Sequence, residues 1–134
     1  MELPSDALIC LTMCRLAPAK NLPLMLSAWA SIEPKKGKKA ILAIVGAGPL
    51  EQSLKAMARE IGLSERVLFA GASSNVVTWY HAADVYLLSS DREGLSNSLL
   101  EAMACGLPVV MTAVGGKEFV AGPPQCGMIV PVGD

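Results

Sequence analysis

The sequence predicts an α/β fold: a doubly wound parallel sheet of about six strands, built as a single domain. Three observations lead there. Short apolar runs suited to buried strands recur along the 134 residues, segments with apolar stripes of helical period separate them, and no repeat, low-complexity tract or charge run divides the chain. A strand that reads apolar throughout is covered on both faces, which is the condition of a parallel strand between layers of crossover helices. One domain is also what this length accommodates.

Residues 7–13 form the first apolar run, and the stripe Leu22, Met25, Leu26, Trp29 marks the helix that follows it. Residues 40–45 are the second strand, followed by a second stripe of Leu50, Leu54, Met57 and Ile61. Residues 66–70 and 84–89 are the third and fourth strands. Leu95, Leu99 and Met103, four apart, mark a helix starting near Ser96, and residues 108–112 and 128–130 complete the six strands. Each stripe occupies one helical face, turned to the sheet. Residues 32–39 and 122–127 are the linker-like stretches.

Composition narrows the function. Eleven Lys and Arg against 12 Asp and Glu leave a net charge of −1, so neither a nucleic-acid footprint nor a polybasic membrane patch is expected. The longest apolar runs are far short of the roughly 20 residues of a membrane-spanning helix, and the acidic start lacks the basic region of a secretory signal. A cytoplasmic protein is expected, with peripheral attachment at the inner membrane face as an alternative for a full-length form. Cys10, Cys14, Cys105 and Cys126 form no CxxC pair, and the single histidine, His81, has no cysteine at ligand spacing. They read as small buried thiols of a reducing compartment, and no metal site is expected. Trp29, Trp79 and Tyr80 read as packing residues, and His81 lacks the partners of a catalytic triad.

In open α/β sheets ligands bind beyond the carboxyl ends of the strands, so the loops there carry the functional signal. After the second strand stands Val45-Gly46-Ala47-Gly48-Pro49. Gly46 and Gly48 allow close backbone approach to an anion at the following helix, or simply make a tight strand-to-helix turn. The third glycine of a dinucleotide fingerprint is replaced by Glu51, which argues against a nicotinamide cofactor. After the first strand, Arg15 and Lys20 bracket one loop, with Asn21 placed to cap the next helix. A guanidinium fork and a mobile ammonium suit a diphosphate, although two such cations are also ordinary solvated surface. Glu93 and Glu101 stand eight residues apart across the predicted helix start, a span of roughly 12 Å at helical rise. That spacing fits a nucleotide sugar laid over the helix N-terminus, with its sugar at Glu93 and its ribose at Glu101. It also fits a helix-start carboxylate followed by a solvated one.

Taken together, the ordered segments Arg15-Leu16, Lys20-Asn21, Val45-Gly46-Ala47-Gly48-Pro49, Val67-Leu68-Phe69-Ala70-Gly71, Ala83-Asp84-Val85, residues 93–110, Val114-Gly115-Gly116-Lys117-Glu118 and Gly127-Met128-Ile129-Val130-Pro131 resemble the C-terminal, donor-binding half of a family 4 (group 1) glycosyltransferase. That family has the GT-B architecture of two Rossmann-like domains, and the pair Glu93 and Glu101 matches its E-x7-E motif. The resemblance implies retaining, metal-independent transfer of a hexose-type sugar from a nucleotide diphosphate sugar, with no cofactor. Arg15 and Lys20 are then expected to hold the diphosphate and stabilise the leaving group, and Glu93 to contact the sugar. Gly94, Leu95, Ser96 and Asn97 are expected to meet sugar and phosphates through their backbone, Glu101 to take the ribose hydroxyls, and residues 71–74, Gly71 and Ser73 among them, to border the base. Arg15, Lys20 and Glu93 form the catalytic set.

Cys14 stands where the family usually has glycine. The resemblance also implies an N-terminal acceptor domain and a C-terminal helix beyond these residues, so the 134-residue chain is expected to bind a donor and barely to transfer it. The apolar segment after Gly127, at a sheet edge, is expected to associate copies of the chain. A GT-B sugar-nucleotide epimerase and a non-catalytic α/β interaction module are the alternatives.

Overall fold

The computed structural model describes residues 3–134. Six strands, β1 (Ala7–Met13), β2 (Lys39–Val45), β3 (Val67–Gly71), β4 (Val85–Leu88), β5 (Val109–Thr112) and β6 (Gly127–Val130), form one sheet in the order β3-β2-β1-β4-β5-β6. Every neighbouring pair is parallel. The doubly wound expectation holds, and the strand order is that of Rossmann sheets. Connections between parallel strands must cross over, and here α1 (Leu22–Ser31), α2 (Glu51–Glu60), α3 (Val76–Ala82), α4 (Asn97–Ala104) and α5 (Lys117–Ala121) do so.

The two faces bury separate clusters, as a sheet covered on both sides requires. Leu22, Met25, Leu26 and Trp29 of α1 and Leu54 and Ala58 of α2 pack with Cys10, Leu42 and Ile44 on one face. On the other, Tyr80, Leu99, Ala102 and Val120 pack with Ile9, Leu11, Tyr86, Leu88, Val109 and Met111. The alternation of Ile9 and Leu11 against Cys10 along β1 is the period of 2 of a strand with both faces buried. Just before β4, the Asp84 carboxylate accepts the Ile9 N–H at 2.8 Å and the Asp84 N–H donates to Ile9 O at 2.8 Å. This pair of bonds pins β4 beside β1 and so fixes where the two halves of the sheet meet.

Three expectations need correction. Leu95 is not part of the α4 stripe: it precedes the N-cap Ser96 and is 51% exposed. Ser96 accepts the Leu99 N–H through its side chain, and that cap starts the helix at Asn97, near where it was expected but with Leu95 left outside it. Leu50 and Ile61 flank α2 as caps rather than lying within it. Two helices were not marked by any stripe, because α3 has 7 residues and α5 only 5, too few to repeat a helical period. Among the described residues no helix is long and apolar enough to cross a membrane.

Candidate functional site

The chain runs from β1 outward through β2 and β3, then returns to place β4, β5 and β6 on the other side of β1. The connections leaving β1 and β4 therefore diverge, opening a crevice at their carboxyl ends. Two hollows occupy this end of the sheet. One, of about 340 Å³, is lined among others by Arg15, Gly46, Ser73, Asn97, Ser98 and Glu101. The second, of about 560 Å³, is lined by Lys20, Asp91, Arg92, Glu93, Gly94 and neighbours. The start of α4 stands between them, with Gly94 in one hollow and Asn97 in the other.

Ser96 makes that helix start sharp. Its hydroxyl caps Leu99 and lies 3.0 Å from the Ser98 hydroxyl. Among the described residues, the backbone N–H groups of Leu95, Ser96, Asn97 and Ser98 have no backbone or side-chain acceptor. They are the orphan donors of a helix N-terminus, directed to where an anion is stabilised by the helix dipole.

The two cations predicted for one loop are used differently. A short 3-10 turn, Pro18–Lys20, closes with Asn21 in the left-handed region at φ 45°, and the Asn21 side chain accepts the Leu24 N–H to start α1. The Asn21 amide also donates to Asp91 at 2.8 Å, and the Ser89 hydroxyl donates to Lys20 O at 2.8 Å. Lys20 is thereby tied to the loop after β4. Its ammonium pairs with Glu93 Oε1, which also accepts the Ser90 hydroxyl at 2.7 Å. Arg15 is exposed. Lys20 and Glu93 therefore form a neutral pair beside α4, while Arg15 supplies positive charge to the other hollow.

The glycines divide in the same way. At φ +139°, Gly46 takes a conformation few other residues adopt, and a Cβ there would collide with the Cys14 carbonyl. A Cβ on Gly48 would come within 2.7 Å of Leu16 N. The close approach predicted for Gly46 and Gly48 is made to the chain's own loop after β1, sealed by Leu16 N–H to Ala47 O and Leu50 N–H to Leu16 O, both 3.0 Å. Gly46 lines the smaller hollow and Gly48 does not. Cys14, where glycine was expected, lines it too, and burial above all pushes its thiol up to about 11 despite Lys20 nearby. Gly71 ends β3 at φ +73° and accepts the Gly46 N–H at 2.8 Å. Ser73 stands at the rim, its hydroxyl accepting the Asn75 N–H.

Two contributors, Tyr80 and Tyr86, carried no local signal. Glu101 accepts the Tyr80 hydroxyl at 2.7 Å. Tyr86 donates to the Ser98 hydroxyl at 2.6 Å. Gly115 donates to Glu93 O at 3.3 Å, and a Cβ on it would collide with Gly94 O, so the loop after β5 lies flat against the loop carrying Glu93. The Gly115-Gly116 pair was the sequence signal for this last contact. Among the described residues, no group of three His, Cys, Asp or Glu side chains is placed to hold a metal ion.

Comparison with known proteins places this arrangement. A family model described as Glycosyl transferases group 1 matches residues 2–134. The lipopolysaccharide core biosynthesis glycosyltransferase LpsE of Rhizobium meliloti (strain 1021) is 31% identical over 100% of this chain and 38% of its own length. D-inositol 3-phosphate glycosyltransferase 2 of Catenulispora acidiphila is 33% identical over 96% of this chain and 32% of its own. The structure of sucrose-phosphate synthase from Thermosynechococcus elongatus superposes with a TM-score of 0.83 at 31% identity, covering 98% of this chain and 34% of that one. The chain thus spans only 32% to 38% of the length of these relatives. With its Rossmann-like sheet, its crevice at the β1/β4 divergence and a family match along nearly its whole length, the chain belongs to the group 1 glycosyltransferases.

Proposed function

We propose that this chain binds the nucleotide diphosphate sugar of a retaining glycosyltransferase, with the diphosphate on the N-terminus of α4, the nucleoside in the hollow of Glu101 and Ser73, and a hexose-type sugar in the hollow of Glu93. One observation carries the reading: a helix start with unsatisfied N–H groups stands between two hollows, each holding one member of the spaced glutamate pair. The membership in the group 1 family supports it.

The chemistry follows from where charge develops. When the bond between the sugar's anomeric carbon and the diphosphate breaks, negative charge grows on the departing oxygens. Preorganised donors lower the energy of that state. Arg15, the Lys20 ammonium and the α4 N–H groups are these donors. An ammonium has three hydrogens, so Lys20 reaches a phosphate while retaining Glu93. The positive charge supplied by these side chains makes a metal unnecessary for binding. The acceptor is bound by a part of the protein outside these residues, so we expect the chain alone to bind a donor and barely to transfer its sugar.

Calorimetry with UDP, GDP and ADP tests this, with chelator in one series and Mg²⁺ in the other. At least one nucleotide is expected to bind equally in both. A rise of about tenfold on adding Mg²⁺, about 1.4 kcal/mol, contradicts the metal-independent reading, and no binding of any nucleotide contradicts the function.

A further inference from the structure

Tyr80 is 1% exposed, on the inner face of α3, yet it reaches a carboxylate that lines the smaller hollow. Its hydroxyl has one proton and two acceptors in range, Glu101 Oε2 at 2.7 Å and Ser98 O at 3.3 Å. Distance and charge both direct that proton to the carboxylate. Burial, with the Glu101 hydrogen bond second, pushes the Tyr80 hydroxyl above the usual tyrosine range, which favours its protonated, donating form. The ring is wedged against Tyr86 at 6.2 Å between centroids, and Tyr86 in turn holds Ser98. Two buried rings thus grip the first turn of α4 from beneath.

A glutamate on an exposed helical face samples several rotamers, and fixing one costs conformational entropy. A carboxylate offers roughly four acceptor positions. Tyr80 takes one on Oε2 and leaves Oε1 free, which is what a pair of vicinal hydroxyls requires.

We propose that Tyr80 is a positioning residue for ribose recognition: its hydroxyl holds the Glu101 carboxylate, ahead of ligand, in the orientation that accepts both ribose hydroxyls of a nucleoside diphosphate. This rests on the nucleotide-sugar reading given above. Tyr80 touches no ligand itself and acts through Glu101 alone.

The test compares UDP, GDP and ADP with their 2′,3′-dideoxy counterparts by calorimetry on the 134-residue chain and on its Tyr80→Phe variant, which keeps the ring. The ribonucleotide is expected to lose about 3- to 10-fold in affinity, the range of one charge-assisted hydrogen bond lost indirectly. The dideoxy ligand is expected to change less than about twofold, so that discrimination shrinks; in a Glu101→Ala background Tyr80→Phe is expected to have no effect. A purely structural role would weaken both ligands together and persist in that background, and either result overturns the proposal. Should Tyr80→Phe fail to fold, Tyr80→Met removes the same hydroxyl, leaves Glu101 intact and fills the site with a flexible apolar side chain. Discrimination undiminished in that variant overturns the role of Tyr80. Failure of the unaltered chain to bind any of the three nucleotides instead overturns the reading of the site, and this role with it.

Discussion

Breaking the pair of Lys20 and Glu93 is measurable in both stability and affinity. The two side chains are 23% and 11% exposed. The pair therefore lies between a surface ion pair, about 0.2–1 kcal/mol, and a buried one, whose loss of a partner costs about 3–5 kcal/mol. Ser90, 2.7 Å from the same carboxylate oxygen, still donates to Glu93 after the ammonium is removed, which keeps the loss at the lower end. A coupling energy of about 1–2 kcal/mol follows. Urea unfolding of Lys20→Met, Glu93→Gln and the double variant gives that coupling directly. On the proposed reading the pair also restrains the cation that meets the diphosphate. In Glu93→Gln the ammonium no longer faces a carboxylate, so the best-bound of UDP, GDP and ADP should tighten about fivefold, about 1 kcal/mol. A coupling below about 0.5 kcal/mol, with nucleotide affinity unchanged in Glu93→Gln, would refute the argument.

Gly115→Ala places a Cβ on the Gly94 carbonyl; we expect a loss of about 1–3 kcal/mol on unfolding together with weaker donor binding, and an unchanged denaturation midpoint would contradict the packing. Burial pushes the Cys10 and Cys14 thiols from 9.0 up to about 11 in the folded chain. The folded state then holds more protons than the unfolded one between those values, so this stability is complete below pH 9 and is lost as pH rises toward 11. Denaturant midpoints at about pH 8 and about pH 10.5 should fall less in Cys14→Ala than in the unaltered chain; parallel declines would argue against a buried thiol. At the sheet edge, Met128 of β6 is 65% exposed and Val132 beyond it 46%. Light scattering at millimolar concentration is expected to show a dimer, and Met128→Lys to restore the monomer; a monomer throughout would remove the edge from consideration.

The fold was legible wherever a strand is buried on both faces. Residues 7–13 and 40–45 read as apolar runs because both faces are covered along most of their length, and the structure places their strands inside the sheet, with neighbours on both sides. Helix α3 was not legible, since Val76-Val77-Thr78-Trp79-Tyr80 is rich in the β-branched and aromatic residues that favour strands, and its packing over the sheet decides otherwise. The site divides similarly. Glu93 and Glu101 stand on opposite sides of a helix start, a relation local to the chain and visible as a spacing. The partners of those glutamates were not visible: Lys20 lies 73 residues from Glu93, and Tyr80 lies 21 from Glu101 on another helix. Tyr80 was read as packing, and its ring does pack; the hydroxyl's destination depends on how α3 and α4 lie over the sheet, which no spacing records. The Gly46 and Gly48 turn was legible as close approach, but the sequence did not distinguish approach to a ligand from approach to the loop after β1.

Amide chemical shifts of the isotopically labelled chain, followed as UDP, GDP or ADP is added in the presence of chelator, test the central claim most directly. The account predicts that the best-bound nucleotide shifts the amides of residues 14–20, 46–47, 73–74 and 94–101, with the largest changes at Ser96 and Asn97, while those of β6 and of α1 beyond its first turn stay in place. Shifts gathered away from the α4 N-terminus, or none with any of the three nucleotides, would contradict it.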